Sequence, residues 1–173
     1  NSLCCYHDRF IPGLASIVGA IKAHDCHVFG QLNHRGALLR RSVLNMEPVG
    51  PSPWRNPNTG DVVRPLVVAE IMEIQKLFVA SARRLQQAGY DGVEIHAGNG
   101  YLFQQFFTPR INRRTDLYGG SFDNRARLLL DGRGLKVPGR ERGFFLGPTG
   151  FDGVAQGMAV GRDETFGPVA AIT

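Results

Sequence analysis

The densest chemistry in the chain lies in the consecutive residues His96-Ala97-Gly98-Asn99-Gly100-Tyr101, directly after the run Asp91-Gly92-Val93-Glu94-Ile95. Glycines let a backbone turn sharply and approach a ligand. An imidazole and a carboxamide each offer an N–H donor. Two such donors converging on one oxygen stabilise the negative charge that a carbonyl or nitro oxygen gains during reduction. The tyrosine phenol that follows is a proton source. Two oxyanion donors and a proton donor suit reduction of an activated double bond. Side chains cannot supply hydride, so this chemistry implies a cofactor. The same spacing also fits a plainer arrangement, in which His96 caps a strand and Tyr101 packs in a core.

The elements around these residues set where they stand. Asp91–His96 reads as a short strand, and so does His27–Leu32. Between them, Val68–Ala88 carries Ile71, Ile74, Phe78, Leu85 and Ala88 on one helical face, with Gly89 placed to cap its C-terminus. Pro12–His24 reads as an earlier helix, with Leu14, Ile17, Val18 and Ile21 at helical spacing and Pro12 suited to a first turn. Strand, crossover helix and strand make a βαβ unit, so the fold class is α/β with parallel strands. An open doubly wound sheet and a (β/α) barrel both fit. In either, function gathers at the C-terminal ends of strands, where Gln31 and His96 fall. Residues 33–64, rich in Pro, Gly and Asn, and residues 97–122 read as irregular loops. The first is read as a loop covering a substrate, with a plain excursion on the surface as the alternative. A further helix is expected from Asn124 to Leu130.

Composition narrows the function classes. The chain has 173 residues, 43% of them hydrophobic, enough for one soluble domain or two small ones. No run approaches the roughly 18 apolar residues of a membrane span. Three cysteines, Cys4, Cys5 and Cys26, are too few and odd in number for a disulfide framework, which suggests a reducing, cytoplasmic setting. His24, Cys26 and His27 match no standard zinc spacing, so no metal is expected. The net charge of +5 gathers in Arg35, Arg40 and Arg41 and in Arg110, Arg113, Arg114, Arg125 and Arg127. Such clusters favour anionic partners or simply form a solvated face. No DNA- or RNA-binding motif accompanies them, so no specific nucleic-acid partner is expected.

Longer stretches then match a known pattern. Gln31-Leu32-Asn33-His34-Arg35-Gly36 resembles the Q-L-x-H-x-G segment of the Old Yellow Enzyme type of NADH:flavin oxidoreductase. Residues 88–96 look like that family's fourth barrel strand. Asn99-Gly100-Tyr101-Leu102, Gln105-Phe106-Phe107, the run from Thr108 to Ser121 and Asn124-Arg125-Ala126-Arg127 continue the match in order. The resemblance covers roughly residues 6–130. Where family members read H-G-A-N or H-A-A-H, this chain has His-Ala-Gly-Asn, which exchanges small residues and keeps both donors in register.

The resemblance implies an enzyme that passes hydride from NAD(P)H through FMN to an electron-poor alkene or similar small-molecule acceptor. It implies that Gln31 binds the pyrimidine side of the flavin. It also implies that His96 and Asn99 bind and polarise the substrate oxygen, and that Tyr101 is the catalytic proton donor. His34 is read as supporting the site from behind. Asn112, Arg113, Asp116 and Tyr118 are read as a network fixing their loop.

The matched stretch corresponds to about the third and fourth strands of an eight-stranded barrel. The expected fold is therefore an incomplete (β/α) barrel in residues 1–130, with open sheet edges that invite self-association. Residues 131–173 form a divergent tail expected to be irregular. Gly143–Thr149, Phe151–Val154 and Arg162–Val169 resemble a segment of aldehyde dehydrogenase, a family whose Glu and Phe at the positions of Glu164 and Phe166 lie near the nicotinamide. Its nucleophilic cysteine has no counterpart here. A chimeric or truncated reading frame joined near residues 130–135 is one expectation. The alternative to a working reductase is a non-catalytic fragment that binds no flavin.

Overall fold

In the computed structural model, which describes residues 3–128, 149–151 and 169–171, the chain forms two compact units. The first comprises residues 3–33 and 67–96. Its helices are α1 (Ile11–Lys22) and α3 (Val68–Gln87), and its strands β1 (Phe29–Leu32) and β5 (Gly92–Ile95). The strands pair in parallel, Phe29 with Gly92 and Leu32 with Ile95, as a βαβ unit requires. Apolar periodicity explains the helices. Leu14 and Val18, one turn apart, are buried on α1, and Ile71 and Leu85 on α3. Leu14, Leu32, Leu85 and Ala88 form the core, with Phe10, Phe78, Tyr90 and Ile95 packed against it.

Two glycines earn their places in this unit. A Cβ at Gly30 would stand 2.6 Å from Leu85 Cδ1, so a larger residue there would force the buried Leu85 side chain of α3 to move away from β1. Gly89 has φ +91°, donates to Gln86 O (3.0 Å) and passes the chain to Tyr90, whose N–H reaches Leu85 O (3.1 Å). That pair of bonds ends α3 with a Schellman motif, as the sequence predicts. At its other end, the Glu70 carboxylate accepts from the Val67 N–H (2.9 Å). Asp91 accepts from the Val28 N–H (2.8 Å) and from Lys22 (2.7 Å), tying the start of both strands together. These bonds hold the Asp91 carboxyl below its ordinary pKa.

The second unit comprises residues 34–66 and 97 onward. Residues 33–64, expected as irregular, carry a turn at Gly36–Leu38, the short helix α2 (Arg41–Leu44) and the strands β2 (Val49–Gly50), β3 (Trp54–Arg55) and β4 (Val62–Pro65). The strand order is β2-β4-β3, with β2–β4 parallel and β3–β4 antiparallel. Strands of two residues have no period to read, which is why the sequence hides them. The loop expected over 97–122 contains α4 (Leu102–Phe107). The helix expected over 124–130 is α5 (Phe122–Ala126), begun by Ser121 Oγ accepting from Asn124 N. Leu102, Phe103, Phe106 and Phe107 with Val63, Leu66 and Ala37 are buried in this unit. In the tail, β6 (Thr149–Phe151) and β7 (Val169–Ala171) pair in parallel. The rest of 131–173, including Glu164 and Phe166, lies outside the described residues.

Candidate active site

Gln31 and His96 stand in the first unit, at the C-terminal ends of paired strands. Gln31 is the penultimate residue of β1 and is exposed on the sheet. Its register partner is Glu94, whose Oε1 accepts from Gln31 Nε2 at 3.1 Å. A carboxamide held by one N–H keeps its oxygen and its second N–H for another partner. That acceptor-and-donor pair complements an imide edge such as the one a flavin pyrimidine ring carries, so the donor set fits the group the sequence implies. His96 continues the ladder, its N–H reaching Leu32 O at 2.9 Å, and its ring is half-buried.

Asn99 and Tyr101 stand in the second unit, on the turn that leads into α4. Asn99 is exposed and adopts a left-handed backbone, φ +52°. Asparagine tolerates that conformation better than most residues. The Tyr101 N–H closes the turn on Gly98 O (3.0 Å), and Tyr101 then caps α4 in an extended conformation with a half-buried side chain.

The turn is clamped from below by two glutamines of α4. Gln104 Oε1 accepts from the Gly100 N–H. Gln105 is buried and makes three bonds. Its Nε2 donates to Gly100 O (2.6 Å) and to Arg35 O (3.2 Å), and its Oε1 accepts from the Ala37 N–H (3.1 Å). Gly36 makes room for it, since a Cβ there would come within 2.5 Å of Gln105 Oε1 at a φ of +57°. One side chain thus fixes the segment 35–37 and the segment before Tyr101 together. Glu94 and Gln105 are the residues that sequence reasoning missed. The signal for Glu94 was strand register, and for Gln105 a polar residue within the aromatic stretch Leu102–Phe107.

His34 sits behind this clamp. Its carbonyl accepts from the Leu102 N–H (2.9 Å), and its Nδ1 accepts from the Gly36 N–H (3.0 Å). An Nδ1 that accepts places the ring proton on Nε2 in the neutral form. Burial holds the His34 pKa below its ordinary value of 6.5. With a folded pKa depressed below the unfolded one, the unfolded chain binds the extra proton first. The stability of the second unit is therefore full above about pH 6.5 and falls as pH drops below it. Unfolding by urea from pH 8 to pH 5 should show this slope. His34→Asn, which keeps an acceptor for Gly36, should flatten it, and an unchanged slope would assign the effect elsewhere.

Beyond α4, the loop is fixed by arginines and one asparagine. Asn112 Nδ2 donates to Phe106 O and Tyr118 O, both at 2.7 Å. Arg114 grips Asp116 through Nε (3.0 Å) and a second nitrogen, and reaches Pro51 O (3.0 Å) and Leu66 O (2.6 Å). The Arg114 bonds hold the Asp116 carboxyl below its ordinary pKa. Arg125 is buried and donates to Phe107 O (2.7 Å) and Gly120 O. Asn112 and Asp116 thus fix the loop as expected, and Tyr118 does so through its backbone. Arg113 enters only by its N–H to Ser52 Oγ (2.9 Å), so the guanidinium in the network belongs to Arg114. Among the described residues, no three His, Cys, Asp or Glu gather as metal ligands, and no helix is long and apolar enough to cross a membrane.

Comparison with known proteins agrees with these motifs. The model of the NADH:flavin oxidoreductase / NADH oxidase family matches residues 1–131, and that of the aldehyde dehydrogenase family matches residues 111–173. The chain is 38% identical to an NADH oxidase of Thermoanaerobacter brockii over 125 residues, covering 72% of this chain and 19% of that protein. It is 37% identical to an NADPH dehydrogenase of Clostridium acetobutylicum over 131 residues, covering 76% and 38%. Among solved structures it resembles the Old Yellow Enzyme homologue from Zymomonas mobilis, with a TM-score of 0.68 and 34% identity over 72% of this chain and 38% of that one. A morphinone reductase in complex with tetrahydroNAD gives a TM-score of 0.66 at 32% identity, covering 72% and 39%. The chain thus spans between about a fifth and two fifths of the length of these relatives. Its α/β fold with parallel strands is part of a (β/α) barrel. With residues 1–131 matched by the family model, the chain belongs to the NADH:flavin oxidoreductase / NADH oxidase family.

Proposed function

We propose that residues 1–130 carry the flavin- and substrate-handling part of an FMN-dependent NAD(P)H oxidoreductase that reduces an electron-poor alkene or similar small acceptor. The observation that carries this reading is the Gln31 carboxamide, held by Glu94 at the C-terminal end of a parallel strand, one strand from His96. When bound, FMN supplies the hydride that NAD(P)H has first given it. Gln31 holds the pyrimidine edge, and Glu94 keeps its amide from rotating. His96 and Asn99 donate N–H bonds to the substrate oxygen and stabilise the charge it gains. Tyr101 gives its proton to the carbon next to the one that takes hydride and recovers it from solvent.

The family barrel is closed, and we expect turnover only where the barrel is complete. β1 and β5 each keep one edge unpaired among the described residues, and Phe29 is 64% exposed on their face. Those edges suit self-association, which sedimentation of the chain would detect. We place the tail, 131–173, outside the flavin site. Sequencing the transcript across residues 130–135 would settle whether its aldehyde dehydrogenase likeness reflects one genuine frame. The sparse, odd cysteines favour a cytoplasmic setting.

An FMN titration followed by flavin absorbance and fluorescence tests the reading. Saturable binding is expected, weakened about five- to a hundredfold in Gln31→Ala, the worth of the two neutral hydrogen bonds its carboxamide would lose. Absence of binding at high micromolar FMN would leave the chain a non-catalytic piece of the family.

A further inference from the structure

The turn before α4 contains the only Asn-Gly pair in the chain, Asn99-Gly100. In such a pair the backbone nitrogen of the glycine can attack the side-chain carbonyl carbon of the asparagine, because glycine has no side chain to obstruct the approach. Here the group under attack is accessible. Asn99 is exposed at φ +52°, and its carboxamide has no hydrogen-bond partner among the described residues. The attacking group is restrained. The Gly100 N–H donates to Gln104 Oε1, and Gly100 O accepts from Gln105 Nε2 at 2.6 Å. A peptide unit is planar, so its nitrogen can attack only from outside that plane and only once its proton has left. A bonded N–H fixes the plane and shields the proton.

We propose that Asn99 is a site of spontaneous deamidation and that Gln104 is its brake. The Gly100 nitrogen bonds to Asn99 Cγ, the bond from Cγ to the side-chain nitrogen breaks, and ammonia leaves with the proton that Gly100 gives up. Water then opens the cyclic imide at either carbonyl, to aspartate or to isoaspartate. Both products carry a carboxylate, which accepts hydrogen bonds and cannot donate one. Isoaspartate also lengthens the backbone of the turn that carries Tyr101. The site stands on the turn alone. Its consequence rests on the reductase reading: a donor to the substrate oxygen becomes a negative charge, and the modified chain is spent as a catalyst.

Peptide mapping by mass spectrometry tests this without flavin or turnover. The full chain, Gln104→Leu, Gln104→Glu and a free peptide of residues 97–102 should be held at mildly alkaline pH, and the gain of about one mass unit at Asn99 followed with time. The wild type should convert about five- to a hundredfold more slowly than the peptide, for the two bonds that hold Gly100. Gln104→Leu should convert about two- to tenfold faster than the wild type, for the one bond lost. Gln104→Glu keeps an acceptor for Gly100 and should convert no faster than the wild type, which a general loosening of the turn would not give. Unchanged circular dichroism would confirm that the variants are folded; if Gln104→Leu is not, the comparison of Gln104→Glu, wild type and peptide still decides. A wild type unmodified at Asn99 after about a hundred half-times of the peptide would overturn the site. Equal rates in the wild type and a folded Gln104→Leu would overturn the brake, as would Gln104→Glu converting as fast as the peptide. Failure to bind FMN would sink the reductase reading and leave these rates as expected.

Discussion

Gln105→Leu is expected to destabilise the second unit by about 2–5 kcal/mol. The substitution keeps roughly the volume and the burial but removes every polar bond the side chain makes. The Ala37 N–H loses its partner in a buried site and Gly100 O in a partly buried one, at about 1–3 kcal/mol each. Arg35 O is spared the full penalty because it also accepts from the Leu38 N–H at 3.0 Å. Urea unfolding of the two proteins would measure the difference. A loss well below 1 kcal/mol would mean that Gln105 merely fills space. Gln105→Glu separates the two halves of the clamp. It keeps an acceptor for Ala37 but sets a carboxylate against the carbonyls of Gly100 and Arg35, so it should cost as much as leucine or more near neutral pH. Hydrogen exchange should speed up around Gly98–Tyr101 in both variants, because Gln105 ties that turn to the segment 35–37.

The clamp also shows where the sequence was readable and where it was not. α3 and β5 announce themselves because their signals are local and repeated: four turns of apolar residues on one face, a glycine at the cap, then a β-branched strand. Gln31 and His96 were placed by the same logic, as polar residues just where apolar strands end. α4 gave no such signal. Its six residues are too few for a period, and Leu102, Phe103, Gln105, Phe106 and Phe107 are buried on every side, so no polar face exists to contrast with an apolar one. β2 and β3, at two residues each, are held by pairing with β4 rather than by their own propensity. Roles that depend on pairing were out of reach for the same reason. Glu94 becomes a partner of Gln31 only through a strand register. Arg114 rather than Arg113 enters the loop network because of which side chain points toward Pro51 O and Leu66 O.

Tyr101→Phe is the substitution expected to affect chemistry most. On the proposed reading, the phenol supplies a proton at the moment the neighbouring carbon takes hydride, and a positioned general acid contributes about 10²–10⁴-fold. Phenylalanine keeps the ring and the extended backbone that caps α4, so the fold should persist. Reduction of an activated alkene by the completed barrel should fall by about two to four orders of magnitude, while reduction of bound flavin by NAD(P)H, which needs no such proton, should change only a few-fold. Stopped-flow measurement of the two half-reactions separates these effects. Equal loss in both would point to a disturbed binding surface and not to a missing acid. His96→Ala and Asn99→Ala make the contrast sharper. Removing an oxyanion donor weakens substrate binding and raises the barrier, so those variants should raise KM and lower kcat, whereas Tyr101→Phe should lower kcat with KM nearly unchanged.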